Sequence, residues 1–319
     1  MRSLRLRAFA KLNLGLEVLA RREDGYHELR TIFQTIDLHD DVLIEARPHG
    51  IEVSCDDPGV PEGEGNLAWR AARDLRRHGG VTGGARIVIR KRIPVGAGLG
   101  GGSSDAAVVL MGLDRLWRLD TGADRLRLLA ARLGADVPYF LMGGTAVGLG
   151  RGDEVYPLRE QIQTAVVVAF PGLAVSTAAV FERADATLTP RESGHMLVRF
   201  ITRRMGGGSG YEVLSNQLEE AALLEAPELA ERVRRIRSIL IRERALLVSL
   251  TGSGSAYFGL FDDPAAAARA RGALLAAGFG AFRGRTLSLE SYRRMRVQSS
   301  SRSGKERTSW RSRTSRSSR

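Results

Sequence analysis

Residues 94–104 read Pro94-Val95-Gly96-Ala97-Gly98-Leu99-Gly100-Gly101-Gly102-Ser103-Ser104. Crowded glycines let a backbone take positive φ and approach a ligand closely. Successive N–H groups in such a loop form a concave nest for an anion. The run Ser103-Ser104-Asp105 predicts a helix start, whose positive dipole end would face the same point. Together these are the physics of a triphosphate cradle. The cradle is not the commonest kind, because no Gly-Lys-Ser or Gly-Lys-Thr follows. The glycines are also too dense, and too far along the chain, for a dinucleotide fingerprint. Taken alone, the glycines also fit a tight turn.

Of 48 basic residues only three are lysine: Lys11, Lys91 and Lys305. A lysine that persists in so arginine-rich a chain stands out, because its compact ammonium can sit where a planar guanidinium cannot. Two further spots have functional and plain readings side by side. Asp136 stands two residues before Pro138, at an expected helix start, where a carboxylate often serves as an N-cap. Asn66 is either a helix N-cap or a contact for a bound base.

These groups need elements to hold them. The pattern predicts strands over 4–10 and 14–20, with Lys11 and Asn13 between or within them, and over 41–46 and 85–91. Helices are expected over 66–78, closed by Gly79-Gly80, over 103–116 leading out of the glycine loop, and over 126–133. Beyond residue 160 the pattern predicts a strand over 164–170 and helices over 214–225, 230–242 and 264–277. A strand pair, 246–250 and 256–261, flanks Thr251-Gly252-Ser253-Gly254. Periodicity alone gives a mixed α/β chain of two domains. A glycine-rich loop at 204–210 is expected to be flexible.

Composition sets outer limits. The chain has 319 residues, 43% hydrophobic and 26% charged, and one cysteine, Cys55. That excludes a disulfide framework and a cysteine-ligated zinc site, and fits a reducing cytoplasm. No apolar run reaches membrane-spanning length. The net charge of +12 is uneven: residues 297–319 hold six Arg and Lys305 against Glu306, half of the total. With nine Ser and one Trp this segment cannot bury a core, and a disordered basic tail is expected. A nucleic-acid-binding protein is the rival from another class. Aromatics are only 6% and no basic-aromatic stripe occurs, so contact with nucleic acid is expected only through the tail.

The full string from Pro94 to Ala107 resembles the central phosphate-binding motif of the GHMP kinases. Ala8-Phe9-Ala10-Lys11-Leu12-Asn13-Leu14 looks like their first motif, and Leu250 to Ala256 looks like their third. The resemblance covers roughly residues 5–290. It implies an α+β fold of two domains. Residues 1–158 would form a ribosomal-protein-like fold with a left-handed βαβ crossover, and residues 159–296 a ferredoxin-like domain. Asp24-Gly25-Tyr26-His27 and Leu133 to Phe140 narrow it to the branch acting on 4-diphosphocytidyl-2-C-methyl-D-erythritol. The reaction implied is transfer of the ATP γ-phosphoryl group to the tertiary 2-hydroxyl of the erythritol, in the methylerythritol phosphate route to isoprenoids. The alternative within the family is a mevalonate-type or homoserine kinase.

By the same resemblance, Asp136 would accept the hydroxyl proton, and Lys11 would favour its ionised form and stabilise the developing alkoxide. Asn13 would contact substrate near the transferred group. His27 would hydrogen-bond the cytosine edge, with Tyr26 and Phe181 stacking on its two faces. A core Tyr, a core Phe and a loop His are the plain alternatives. Gly252, Ser253 and Gly254 would close on the substrate diphosphate or the phosphoryl region. Ser103 and Ser104 are candidates to approach the β-phosphate or Mg²⁺. No protein ligand to Mg²⁺ is assigned, since that ion is often held by phosphates and water. A monomer or weak homodimer in the cytoplasm is expected.

Overall fold

The structure, a computed structural model, describes residues 3–158, 163–187 and 195–298. The chain opens with two long paired strands, β1 (Ser3–Arg21) and β2 (His27–Arg47). The two expected strands 4–10 and 14–20 are one continuous strand. Residues 8–18 of β1 are buried throughout, so both faces are covered and the alternation that marks a half-exposed strand is lost.

β3 (Ile51–Cys55), α1 (Leu67–His78) and β4 (Gly84–Arg90) follow, with β3 and β4 parallel neighbours joined through α1. The glycine loop leads from β4 into α2 (Gly101–Trp117). Then come α3 (Ala123–Leu133), α4 (Val137–Met142), β5 (Thr145–Leu149) and β6 (Glu154–Pro157). β2 is long enough to pair with β4 through residues 41–47 and with β5 through residues 31–34.

The second half contains β7 (Ala165–Phe170), α5 (Thr177–Thr187), α6 (Met196–Met205), α7 (Leu218–Glu225) and α8 (Leu229–Arg242). β8 (Leu247–Leu250), β9 (Tyr257–Phe261), α9 (Pro264–Ala276) and β10 (Gly280–Arg285) complete it. The strand order is β10-β7-β9-β8, all antiparallel. Numbered within this half it is 4-1-3-2, the order of a ferredoxin-like sheet. The chain then returns to the first sheet through α10 (Leu289–Arg296) and β11 (Val297–Gln298), which pairs with Arg5 and Leu6 of β1. The expected tail therefore gives up Val297 and Gln298 to a ladder. Its remainder, 299–319, lies outside the described residues.

Three apolar layers tie these parts together. Ile44, Ile87 and Ile89 of the first sheet pack on α1 and α2, for instance on Ala71, Val108 and Leu113. Leu12, Leu14 and Ile32 on the opposite side meet Val166, Val168 and Phe258 of the second sheet. The far face of the second sheet meets α5, α7, α8 and α9 through residues such as Val180, Ile236 and Leu274. The order is helices, sheet, sheet, helices. Each fully buried Val, Leu, Ile or Phe contributes about 1.5–3 kcal/mol, so the middle layer holds the two sheets against one another firmly.

Two expected boundaries shift for physical reasons. α2 starts at Gly101 rather than Ser103, because Gly100 takes a left-handed φ of 70° and serves as its N-cap. The expected helix 214–225 is a short 3₁₀ turn, Tyr211–Val213, an extended link and then α7. The loop 204–210 is partly the end of α6, with Gly206 as its C-cap. Among the described residues no helix is long and apolar enough to cross a membrane.

Candidate active site

A cleft of about 990 Å³ opens where the glycine loop, the hairpin joining β1 and β2, α5 and the 251–254 loop converge. Its phosphate end is built by backbone. The first helical bond of α2 runs from the Ser104 N–H to the Gly100 carbonyl at 2.9 Å. The N–H groups of Gly101, Gly102 and Ser103 thus precede the helical ladder and are open to an anion.

Two glycine-rich loops lock together here. The Thr251 hydroxyl donates to the Gly98 carbonyl at 3.2 Å and accepts from the Asn13 N–H at 3.2 Å. The Lys11 N–H donates to the Leu99 carbonyl at 3.0 Å. Gly98 has φ +74°, and a Cβ there would stand 2.1 Å from the Thr251 carbonyl oxygen, so only glycine permits this approach. Asn216 holds the second loop from behind, donating to the carbonyls of Leu250 at 2.9 Å and Gly252 at 2.8 Å.

Lys11 lies at the centre and is 3% exposed. Register shifts in β1 on either side of Lys11 and Asn13 mark bulges, which re-aim side chains beside a site. The Lys11 ammonium donates to Asn13 Oδ1 at 2.6 Å and stands 3.4 Å from Asp136 Oδ2. The Asn13 amide donates onward to Thr31 Oγ1 at 2.8 Å. Asp136 occupies the N-cap position of α4, yet its side chain makes no cap bond. Its carboxylate instead faces the cleft, with the ammonium as its partner. A half-exposed carboxylate with one buried cation at its side can take a proton from a bound hydroxyl.

The other end of the cleft is aromatic. Phe181 and Asp185 lie four residues apart on α5, on one helix face. Phe181 stacks on the His27 ring with centroids 4.8 Å apart, and Asp185 Oδ1 is 2.7 Å from His27 Nε2. A carboxylate at that distance accepts Nε2–H, which leaves Nδ1 for a second hydrogen bond. The Tyr26 ring is half exposed beneath the Arg151 guanidinium, 4.7 Å away. Phe181 and Tyr26 therefore do not face one another as a bare slot. Each ring already has a neighbour, because α5 carries Phe181 over His27 while Arg151 reaches Tyr26 from the turn before β6.

Lys11, Asn13, Tyr26, His27, Asp136, Phe181, Gly252 and Ser253 all reach the cleft wall, as do Pro94, Gly96, Ala97, Gly98, Leu99, Gly100, Gly101, Gly102 and Ser103. Val95, Ser104 and Gly254 do not. Val95 is half exposed outside the cleft and Ser104 is wholly buried behind it. Gly254 is turned towards Leu250. Asn66 is a helix cap: its side chain accepts from the Ala68 N–H at 2.8 Å, and its amide donates to Pro61 at 3.0 Å. Sequence reasoning missed Asp185, Arg151 and Thr31, and it gave no part to the Thr251 hydroxyl or the Asn216 amide in holding the loops. Only the N–H donors of Thr251-Gly252-Ser253-Gly254 carried a local signal.

Behind the glycine loop, Lys91 bridges two buried carboxylates, 2.5 Å from Asp40 Oδ2 and 2.9 Å from Asp105 Oδ2. Burial pushes the Asp105 carboxyl up to about 7, against the attraction of Lys91 and with the help of Asp40. Burial also works against the charge on Lys91, but Asp105 and Asp40 outweigh it and hold the ammonium above its usual range.

Comparison with known proteins agrees with this architecture. Residues 66–144 match the GHMP kinases N terminal domain, and residues 210–280 match the GHMP kinases C terminal domain. The 4-diphosphocytidyl-2-C-methyl-D-erythritol kinase of Citrifermentans bemidjiense is 42% identical over 271 residues, 85% of this chain and 94% of that protein. That of Acetivibrio thermocellus is 38% identical over 82% of this chain and 92% of its own length. A crystal structure of a 4-(cytidine 5'-diphospho)-2C-methyl-D-erythritol kinase superposes with a TM-score of 0.74 at 40% identity, covering 89% of this chain and 99% of that one. Homoserine kinase from Cytophaga hutchinsonii shares the fold, with a TM-score of 0.67 at 17% identity over 90% of this chain and 95% of its own. With two interlocked glycine loops, a lysine–aspartate pair between them and relatives of this closeness along nearly the whole length, the chain belongs to the GHMP kinase family, in the branch of the 4-diphosphocytidyl-2-C-methyl-D-erythritol kinases.

Proposed function

We propose that this protein transfers the γ-phosphoryl group of ATP to the 2-hydroxyl of 4-diphosphocytidyl-2-C-methyl-D-erythritol, giving the 2-phosphate and ADP. The observation that carries the reading is one cleft with two unlike ends. An anion cradle lies beside Lys11 and Asp136, and a histidine clamped by an aromatic ring and a carboxylate lies beyond them.

The site works mainly by positioning and charge compensation, as phosphoryl transfer requires. The open N–H groups of Gly101, Gly102 and Ser103 receive the phosphates. Asp136 takes the hydroxyl proton as the substrate oxygen bonds to the γ-phosphorus and the bond to the β-phosphate oxygen breaks, releasing ADP with that electron pair. Lys11 compensates the alkoxide charge from 3.4 Å behind Asp136. Asn13, pinned by Thr31, keeps the ammonium aimed.

At the far end, His27 Nδ1 accepts from the cytosine amino group, which a uracil carbonyl could not supply. Tyr26 and Phe181 supply aromatic surface, worth about 1–3 kcal/mol for each stacked base. We assign no protein ligand to Mg²⁺, which as part of MgATP would be carried on the nucleotide oxygens with water and would neutralise phosphate charge.

The test is coupled ADP release with ATP and Mg²⁺, offering the cytidyl substrate, mevalonate, homoserine and galactose in parallel. Turnover with the cytidyl substrate alone is expected. Turnover with another alcohol would keep the cradle and overturn the roles given to Tyr26, His27 and Phe181.

A further inference from the structure

The Asp40–Lys91–Asp105 cluster touches neither end of the cleft, yet it encloses the root of the glycine loop. Asp40 lies on β2 and is fully buried. Its Oδ1 accepts from the Arg92 N–H at 2.6 Å and the Ile93 N–H at 2.8 Å, fixing the backbone that leads into the loop. Its Oδ2 takes the Lys91 ammonium at 2.5 Å. The same ammonium reaches Asp105 Oδ2, in the second turn of α2 where the chain leaves the loop, at 2.9 Å. Asp56, after β3, accepts the Lys91 N–H at 2.8 Å. A Cβ on Gly101 would stand 3.1 Å from the Lys91 nitrogen, so the ammonium lies directly against the first helical residue. One side chain thus grips both sides of the 94–100 loop.

Stability alone is a poor account of this cluster. Burying an ammonium and two carboxylates costs desolvation that their attraction seldom repays, and apolar replacements of similar volume are often as stable. The cluster is also imperfect as a stabiliser: Asp105 Oδ1 and the adjacent Ser104 hydroxyl are buried without a hydrogen-bond partner. What it does supply is a fixed separation between the two roots of the loop. Such a fixed frame is what an anion nest needs, because its N–H groups bind only when they converge. Arginine could not substitute, since its planar fork has no room against Gly101.

We propose that Asp40, Lys91 and Asp105 are positioning residues for the nucleotide: a buried clasp that holds the glycine loop in its triphosphate-binding shape. This rests on the reading of the loop as the ATP cradle. The experiment compares Asp105→Asn, which keeps the size of the side chain, with Lys91→Met and the unaltered protein. MgATP and MgADP binding is measured by calorimetry without acceptor, alongside KM, kcat and thermal melting.

The clasp predicts that Asp105→Asn melts within a few degrees of the unaltered protein, binds MgATP about tenfold or more weakly, and keeps the acceptor KM and saturated kcat within about twofold. Lys91→Met should lose more nucleotide affinity, and if it does not fold the Asp105→Asn result decides alone. Unchanged MgATP affinity in Asp105→Asn would overturn the clasp while leaving the cradle intact. So would an Asp105→Asn protein that cannot fold, since the role would then be purely structural. An unaltered protein that binds no MgATP would instead overturn the reading of the loop itself, and the clasp with it.

Discussion

Gly98→Ala is the sharpest perturbation of the way the two glycine loops meet. The added methyl would stand 2.1 Å from the Thr251 carbonyl oxygen and 3.0 Å from that of Gly254, where ordinary contact begins near 3.4 Å. The loops must part by more than 1 Å. Left-handed backbone at residue 98 adds a further cost of about 1–2 kcal/mol for any residue with a Cβ. Thr251 is the partner of the Asn13 N–H, and Gly252 lies against the Lys11 ammonium, so the shift passes directly to the centre of the site. A misplacement of about 1 Å costs on the order of 10²-fold in rate. That corresponds to about 2.7 kcal/mol of barrier. The assay is coupled ADP release at saturating substrates, with thermal melting on the same sample. A fall in kcat of about 100-fold and a loss of a few degrees in Tm are expected. Gly272→Ala is the control. It lies on the exposed side of α9 with nothing within 4 Å, and should gain up to about 1 kcal/mol of stability with normal turnover. A Gly98→Ala enzyme with kcat within threefold of the unaltered protein and an unchanged Tm would refute the argument.

Four more outcomes follow from the geometry. Lys11→Arg should lose about 10²-fold or more in kcat, because Gly100 and Gly252 pack too closely for a guanidinium; the same kinetic assay reads it. Asp136→Asn should lose about 10²–10⁴-fold in kcat while denaturant stability falls by only about 1–2 kcal/mol, since the side chain caps nothing but leaves the buried Lys11 ammonium without its anionic partner. Asp185→Asn should raise the KM for the cytidyl substrate about tenfold with kcat and the KM for ATP unchanged, through loss of a charged hydrogen bond to His27 at a partly exposed position. Burial pushes the folded Asp105 carboxyl up to about 7, above the usual carboxylate value of about 4, so the folded state holds an extra proton between those values. Its contribution therefore weakens stability as pH rises from about 4 to 7, and Asp105→Asn should flatten that slope in denaturant titrations.

What could be read without coordinates was whatever left a local trace. The glycine loop announces itself because backbone that must approach a ligand has to shed its side chains. Lys11 stands out through the scarcity of its type, and α1 and α8 through four-residue apolar spacing. β1 hid its length because residues 8–18 are buried on both faces, which removes alternation. β2 was seen only in its last third, because its middle reads Gln34-Thr35 and its far end is a polar hairpin. α5 and α6 carry weak start signals: α6 begins without a side-chain cap bond, and the cap bond of α5, from the Ala179 N–H to Ser176 Oγ, is long at 3.4 Å. Asp185, Thr251 and Asn216 depend on partners 158, 238 and 36 residues away, and no window along the chain holds both members of such pairs.

That separation has a consequence in time. Lys11 is among the first residues made, while Leu99, Asp136 and Thr251, which surround it, come progressively later. At about 5–20 residues per second, the delay between Lys11 and Thr251 is roughly 10–50 s. For that interval the nascent first sheet exposes Leu12, Leu14 and Ile32, whose cover arrives only with β7 and β9. Lys11 is thus born onto an apolar face that has nothing to pack against, and the second half of the chain both buries that face and closes the cleft.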